Sequence, residues 1–254
     1  MIKENKKRVI IFDLDGTLAE SKQPLDSEMA ALLSHLIDSG YRIAVMSGGS
    51  LEQFKEQLLA SLPFSSTQYK KLFLLPTSGA SLYNYENGDW REIYKCEIPS
   101  DERKIITTTL NTIIEHLGLI PQHLYGELVE DRGTQITYSG LGQHAPIKEK
   151  QLWDPNQEKR KQVIALLSQK LPDLAVHIGG MTSIDVTQKG INKAYGVQKL
   201  SETLFVPIDK MAFVGDALFP EGNDAPVRAS GIECISVVNI FETKQYIKNL
   251  LSVN

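Results

Sequence analysis

The chain's 254 residues allow one large domain or two modest ones, and 42% hydrophobic with 23% charged residues is an ordinary globular composition. A formal net charge of −4 and a pI near 5.8 argue against nucleic-acid partners, because phosphate neutralisation along a duplex needs a concentrated excess of Lys and Arg. No run has the length for a membrane span or the form of a signal peptide, and Cys96 and Cys234 cannot build a disulfide framework; the expectation is a cytoplasmic protein without membrane partners. The one basic cluster, Lys3 with Lys6, Lys7 and Arg8, is interrupted by Glu4 and Asn5 and reads as a solvated lead-in to the first strand.

Val9 to Phe12 is an apolar run without alternation, which predicts a strand buried on both faces of a parallel sheet. Asp26 or Ser27 caps a predicted helix with Met29, Leu32, Leu33, Leu36 and Ile37 on one stripe, closed by Gly40. Tyr41 to Met46 predicts a second strand, Ser50 caps a second helix, and Leu72 to Leu75 is a third strand. This alternation of strand and helix is the mark of a doubly wound sheet.

From about Tyr83 the texture changes. Hairpins are predicted over Tyr83 to Tyr94, with Asn87-Gly88 as the turn, and over Glu127 to Ser139, with Gly133 near the bend. Amphipathic helices are predicted from Ser100 to Gly118 and from Asp154-Pro155 onward, and strands over Leu174 to Ile178 and Ser183 to Val186. After Gly190 the first texture returns, with a helix over Ala194 to Leu200, strands Met211 to Val214 and Cys234 to Val238, and a C-terminal helix. The expected fold is α/β: a Rossmann-like, doubly wound, mostly parallel core in two parts, 1–83 and 189–254, with an α+β cap inserted over 84–188.

The first strand ends in Asp13-Leu14-Asp15-Gly16-Thr17, which sets two carboxylates at the carboxyl edge of a parallel sheet, where α/β folds bind ligands. Side chains two apart on extended backbone share a side, and Gly16 lets the chain turn away. Carboxylates so close repel unless a cation lies between them, and Mg²⁺ prefers oxygen ligands.

This run resembles the first motif of the haloacid dehalogenase superfamily of phosphatases and phosphomutases, and three further motifs of that superfamily follow in order. Ser47 in Met46-Ser47-Gly48-Gly49 resembles its phosphate-binding hydroxyl, Lys193 in Lys189-Gly190-Ile191-Asn192-Lys193 its phosphate-binding lysine, and Asp216 with Asn223 and Asp224 its acidic metal motif. The resemblance implies that Asp13 attacks phosphorus to give an aspartyl phosphate, that Asp15 is the acid and then the base, and that Ser47, Gly48, Thr17 and Lys193 hold the substrate. It also implies Mg²⁺ bound by Asp13, the backbone carbonyl of Asp15 and Asp216, with Asn223 and Asp224 in support.

Gly179-Gly180-Met181-Thr182-Ser183-Ile184-Asp185-Val186 and the long spacing from Gly215-Asp216 to Asn223-Asp224 resemble phosphomannomutase of the eukaryotic type. That likeness implies that Ser183 and Asp185 contact sugar hydroxyls, that Arg132 in Arg132-Gly133-Thr134 contacts phosphate, and that the cap forms a homodimer. Lys22 stands where the mutase pattern has a phosphate-binding arginine, and no arginine lies between Ser139 and Lys150. Lysine cannot make the planar fork, and a mutase must grip a distal phosphate in two orientations. The leading expectation is therefore a phosphatase of phosphorylated hexoses, with phosphomannomutase as the alternative and a non-catalytic phosphosugar-binding protein as a remote one.

Overall fold

The structure, a computed structural model, describes residues 7–252. Strand β1 (Val9–Phe12) leads to helix α1 (Ser27–Asp38), strand β2 (Arg42–Met46), helix α2 (Leu51–Gln57) and strand β3 (Leu72–Leu75). Asp26 caps α1 by accepting the Met29 amide at 2.8 Å, and Ser50 with Gln53 forms a reciprocal capping box on α2. Strands β4 (Ser81–Glu86) and β5 (Asp89–Lys95) follow, joined through Asn87 and Gly88, whose φ values of 52° and 88° suit a two-residue hairpin turn.

The inserted stretch carries helix α3 (Ser100–His116), strands β6 (Val129–Asp131) and β7 (Ile136–Ser139), helices α4 (Ile147–Trp153) and α5 (Glu158–Lys170), and strands β8 (Leu174–Ile178) and β9 (Ser183–Gln188). Helix α6 (Lys193–Leu204), strands β10 (Met211–Gly215) and β11 (Glu233–Ser236) and helix α7 (Ile240–Ser252) close the chain.

The chain separates into two compact units, one of residues 1–95 with 192–254 and one of 96–191. In the first, the sheet order is β11-β10-β1-β2-β3-β4-β5. The strands from β11 to β3 are parallel, and β4 and β5 add antiparallel at the edge. Alternate residues of the central strands enter opposite cores. Ile10, Phe12, Ile43 and Val45 pack with α1 and Ile247 of α7, whereas Val9, Ile11, Ala44 and Met46 pack with Val197 and Leu200 of α6. Each of these buried side chains larger than alanine contributes about 1.5–3 kcal/mol relative to exposure.

Three expectations are corrected. The hairpin over 83–94 belongs to the core sheet and not to the inserted unit, because the short connection 76–80 can only return the chain antiparallel beside β3. Asp154-Pro155 does not open a helix: α4, which sequence periodicity missed, ends at Trp153, and α5 starts at Glu158. Asp154 still binds that helix start, accepting the Lys159 and Arg160 amides at 3.1 and 3.2 Å. Of the basic cluster, Lys3 and Lys6 lie outside the described residues, and Lys7 is not a free solvated charge, since it pairs with Glu233 at 2.7 Å.

The inserted unit is α+β, with sheet order β6-β7-β9-β8. Ile136, Tyr138, Ile184 and Val186 share one face and pack with Ile106, Leu110 and Ile113 of α3 and Val163 and Leu167 of α5. The opposite face carries Thr137, Asp185 and His177 in register across three strands.

In the first unit α6 crosses the turn after β3 at Gly196, whose added Cβ would lie 3.0 Å from the Cα of Gly79 and 2.8 Å from the Met46 methyl. Gly196→Val is expected to push α6 away at a cost of about 1–3 kcal/mol, measured as a lower urea midpoint with an unchanged m value.

Candidate active site

Parallel neighbours end together, so residues following β10, β1 and β2 gather at one carboxyl edge. Phe12 is in register with Val214 on one side and Val45 on the other, which puts Asp13, Asp216 and Ser47 just past adjacent strand ends. The Asp13 amide is held by the Val214 carbonyl at 2.9 Å. Gly16, at φ 88°, reverses the chain, and an added Cβ there would lie 2.5 Å from an Asp216 oxygen. Glycine is required at this position for both conformation and space.

Lys193 opens α6, oriented by Asn192, whose side chain accepts the Ala194 and Tyr195 amides at 2.9 and 3.2 Å. Its ammonium is almost fully buried, donates to Asp13 Oδ1 at 2.6 Å and to Asp224 Oδ1, and lies 5.6 Å from the Phe213 ring centre. Asp224 is also fixed by the Ala217 amide at 3.1 Å. Thr17 accepts the Asp216 amide at 3.1 Å, so this residue, expected at the substrate, positions an acidic side chain here.

Carboxylate oxygens of Asp13, Asp216 and Asp224 lie within 4.8 Å of one another. Three carboxylates facing one ammonium leave about two negative charges when ionised, and an all-oxygen donor set suits a hard divalent cation. These residues fit a metal ion. Asn223 is in the same loop as Asp224, and the Asp15 carboxylate is outside the cluster.

Burial pushes the Asp13 carboxyl well above its ordinary value, Lys193 pulls it back, and Asp224 and Asp216 push it up further. Burial, then Asp224, raises Asp216 to about 6. Burial also acts to raise Asp15, but Lys22 outweighs it and holds that carboxyl below the usual range.

Lys22 pairs with Asp15. Its backbone is left-handed, with φ 60°, so its amide reaches Asp15 Oδ1 and its ammonium Asp15 Oδ2, both at 2.7 Å. Gln57, which sequence reading did not single out, adds a third donor to Asp15 at 3.1 Å. Nothing in the sequence marks that residue, since it ends a helix more than 40 positions away. Ser47 is buried and accepts the Gly49 amide at 3.2 Å, with Gly48 partly accessible beside it. The loop is braced from β3 by the left-handed pair Thr77 and Ser78, whose amides donate to Gly49 and Ser47 carbonyls at 2.9 and 2.8 Å.

On the inserted unit, Arg132 is nearly buried and paired with Glu130 at 2.7 Å. Ser183 accepts the Gly180 amide at 2.8 Å, and Asp185 accepts the Thr137 hydroxyl at 2.9 Å. Arg160 links Asp154 to this turn, donating to the Gly180 carbonyl at 2.7 Å. Lys150 donates to the Gln143 carbonyl at 2.8 Å.

A sequence profile described as eukaryotic phosphomannomutase matches residues 29–253. A phosphomannomutase of Encephalitozoon cuniculi is 25% identical, with 97% of this chain and 94% of that protein aligned. Phosphomannomutase 1 of Mus musculus is 26% identical over 88% of this chain and 84% of that one. Among solved structures, an IMP-bound, N-terminally truncated Plasmodium falciparum IMP-nucleotidase superposes with a TM-score of 0.69 at 18% identity, covering 98% of this chain and 69% of that one. The C. albicans trehalose-6-phosphate phosphatase C-terminal domain gives 0.68 at 15%, covering 99% and 95%. At these identities the structural likeness establishes the fold alone. Both are consistent with a haloacid dehalogenase fold bearing an inserted α+β unit.

A carboxyl whose pKa is raised by folding keeps its proton better in the native state, so its contribution is most favourable below the unfolded value and is lost as pH climbs through the folded one. For Asp216, with Asp13 shifted the same way, stability in chelator is expected to fall as pH rises from about 4 through about 6. A divalent cation should restore it, so its thermal shift should be larger at neutral pH than at pH 5. Lys193→Met leaves buried carboxylates uncompensated and is expected to cost about 3–5 kcal/mol in chelator, measured by urea denaturation.

Proposed function

Because the chain belongs to the eukaryotic phosphomannomutase family of the haloacid dehalogenase superfamily, we propose that it is a hexose-phosphate mutase, interconverting mannose 1-phosphate and mannose 6-phosphate through Asp13. The observation that carries this reading is that the family match runs through the inserted unit as well as the core, over residues 29–253. It reverses the order of the sequence expectation, which led with hydrolysis. We take the metal to be Mg²⁺, held by Asp13, Asp216 and Asp224 with the Asp15 carbonyl and Asn223 in support; it would offset charge on the transferring phosphoryl group. No helix among the described residues is long and apolar enough to cross a membrane, and we place the enzyme in the cytoplasm.

In this mechanism an Asp13 oxygen attacks phosphorus, the bond from phosphorus to the sugar oxygen breaks, and the proton of the Asp15 carboxyl passes to that oxygen. In the return step a sugar hydroxyl attacks the aspartyl phosphate while Asp15 takes its proton, and Asp13 leaves as carboxylate. Ser47 and Lys193 hold phosphate oxygens as charge spreads over them. Lys22 holds the Asp15 carboxyl below the usual range, which suits the step in which Asp15 takes a proton from the attacking hydroxyl.

One observation favours hydrolysis as the second reading. Lys22 is bound to Asp15 and Arg132 to Glu130, so two cations expected at the distal phosphate already have partners. The readings separate in a ³¹P NMR assay of mannose 1-phosphate with Mg²⁺ and a trace of hexose bisphosphate. Appearance of mannose 6-phosphate is expected; inorganic phosphate alone would establish the phosphatase. Asp13→Asn should reduce either activity by more than about a thousandfold.

A further inference from the structure

We infer that Gln57 is a positioning residue for the acid–base carboxylate, holding Asp15 in line with the phosphate-binding loop. The inference rests on the proposed phosphotransferase chemistry and adds a residue that no motif of the chain marks.

Gln57 is only 5% exposed, and its Nε2 donates to Asp15 Oδ1 at 3.1 Å and to the Gln23 carbonyl at 3.3 Å. Turning the amide over would set its oxygen against both acceptors, so the orientation is fixed. Its Oε1 is buried with no hydrogen-bond partner among the described residues. A buried unpaired acceptor is destabilising, and an apolar side chain of similar volume would fill this space without that cost. Packing alone therefore does not account for glutamine, and the bond to Asp15 does.

The backbone around Gln57 has the same orientation. Its carbonyl accepts the Leu25 amide at 2.9 Å, fixing the chain just beyond Lys22. Its helix α2 starts directly after Ser47-Gly48-Gly49, and the Ser50 and Gln53 capping box locks that start. One rigid element of 7 residues thus runs from the phosphate-binding loop at its first turn to Asp15 at its last. Lys22 supplies charge to Asp15 from a loop, whereas Gln57 supplies alignment from a helix. Fixing a proton donor relative to the bond it serves is a positioning effect, and a displacement of about 1 Å can cost a hundredfold.

Leaving-group dependence tests this. An alkyl phosphate such as mannose 6-phosphate needs a proton on its departing oxygen, whereas p-nitrophenyl phosphate releases a phenolate that leaves unaided. With Mg²⁺ present, Gln57→Leu and the isosteric Gln57→Glu are expected to lose about 10–100-fold more kcat/KM on the alkyl phosphate than on the aryl phosphate, with kcat moved more than KM. In an Asp15→Asn background the same changes should add little further loss, as expected of residues that act through one another. A merely structural role would lower both substrates together, or persist without Asp15, and either result overturns the inference while the functional reading stands. A wild type that turns over neither compound overturns that reading and the inference with it. Melting temperatures of both variants identify a fold defect, and the ratio between two substrates on one preparation is unaffected by the fraction folded.

Discussion

The ammonium of Lys193 between Asp13 and Asp224 is the constraint on which the rest of the first unit depends. A nucleophilic carboxylate must lie away from water, yet a buried carboxylate without a cation protonates and ceases to be a nucleophile. Lys193 pulls the Asp13 carboxyl back against the burial that pushes it up, and the nearby glycines have a spatial role in that arrangement. Gly16 makes room for Asp216, Gly215 for Asp224, and Gly196 lets α6 approach closely enough to carry Lys193 inward.

The second carboxylate is treated oppositely. Asp15, two residues away from Asp13, is gripped by three donors from Lys22 and Gln57 and stays outside the acidic cluster. One strand end thus produces two side chains with different chemistry: one poised against an ammonium shared with another acid, the other aligned by a loop and a helix. The sharp turn through residues 14–19, closed by hydrogen bonds from the Gly16 amide to the Ala19 carbonyl and from the Leu18 and Ala19 amides to the Leu14 carbonyl, makes that divergence possible within three residues.

Much of this was legible from residue types. Apolar runs of four or five residues without alternation identified the parallel strands, and Asp13, Ser47 and Asp216 could be placed at their ends because a parallel sheet aligns its carboxyl edges. The hairpin at 81–95 was visible as a hairpin but not as part of the core, because its own pattern says nothing about which free edge it will cover. Helix α4 was missed because it is short and its apolar residues show no clear period. Lys22 stands by position where the likeness has a phosphate-binding arginine; its left-handed backbone, which turns it toward Asp15, has no signature in a lysine. Gln57 was illegible for a related reason, since its importance comes only from a neighbour far away in sequence.

The bond between Lys193 and Asp13 joins residues 180 positions apart, with the whole inserted unit between them. During synthesis β1 is therefore made long before β10, its partner on one side, and Asp13 emerges long before its counter-charge. Residues 96–191 have an apolar cluster of their own and can condense while that first half still waits with an open sheet edge. The ribosome thus delivers the Asp13 segment first and its counter-charge last, and the interval is set by the length of the insertion. A chaperone acting on this protein would meet that waiting edge.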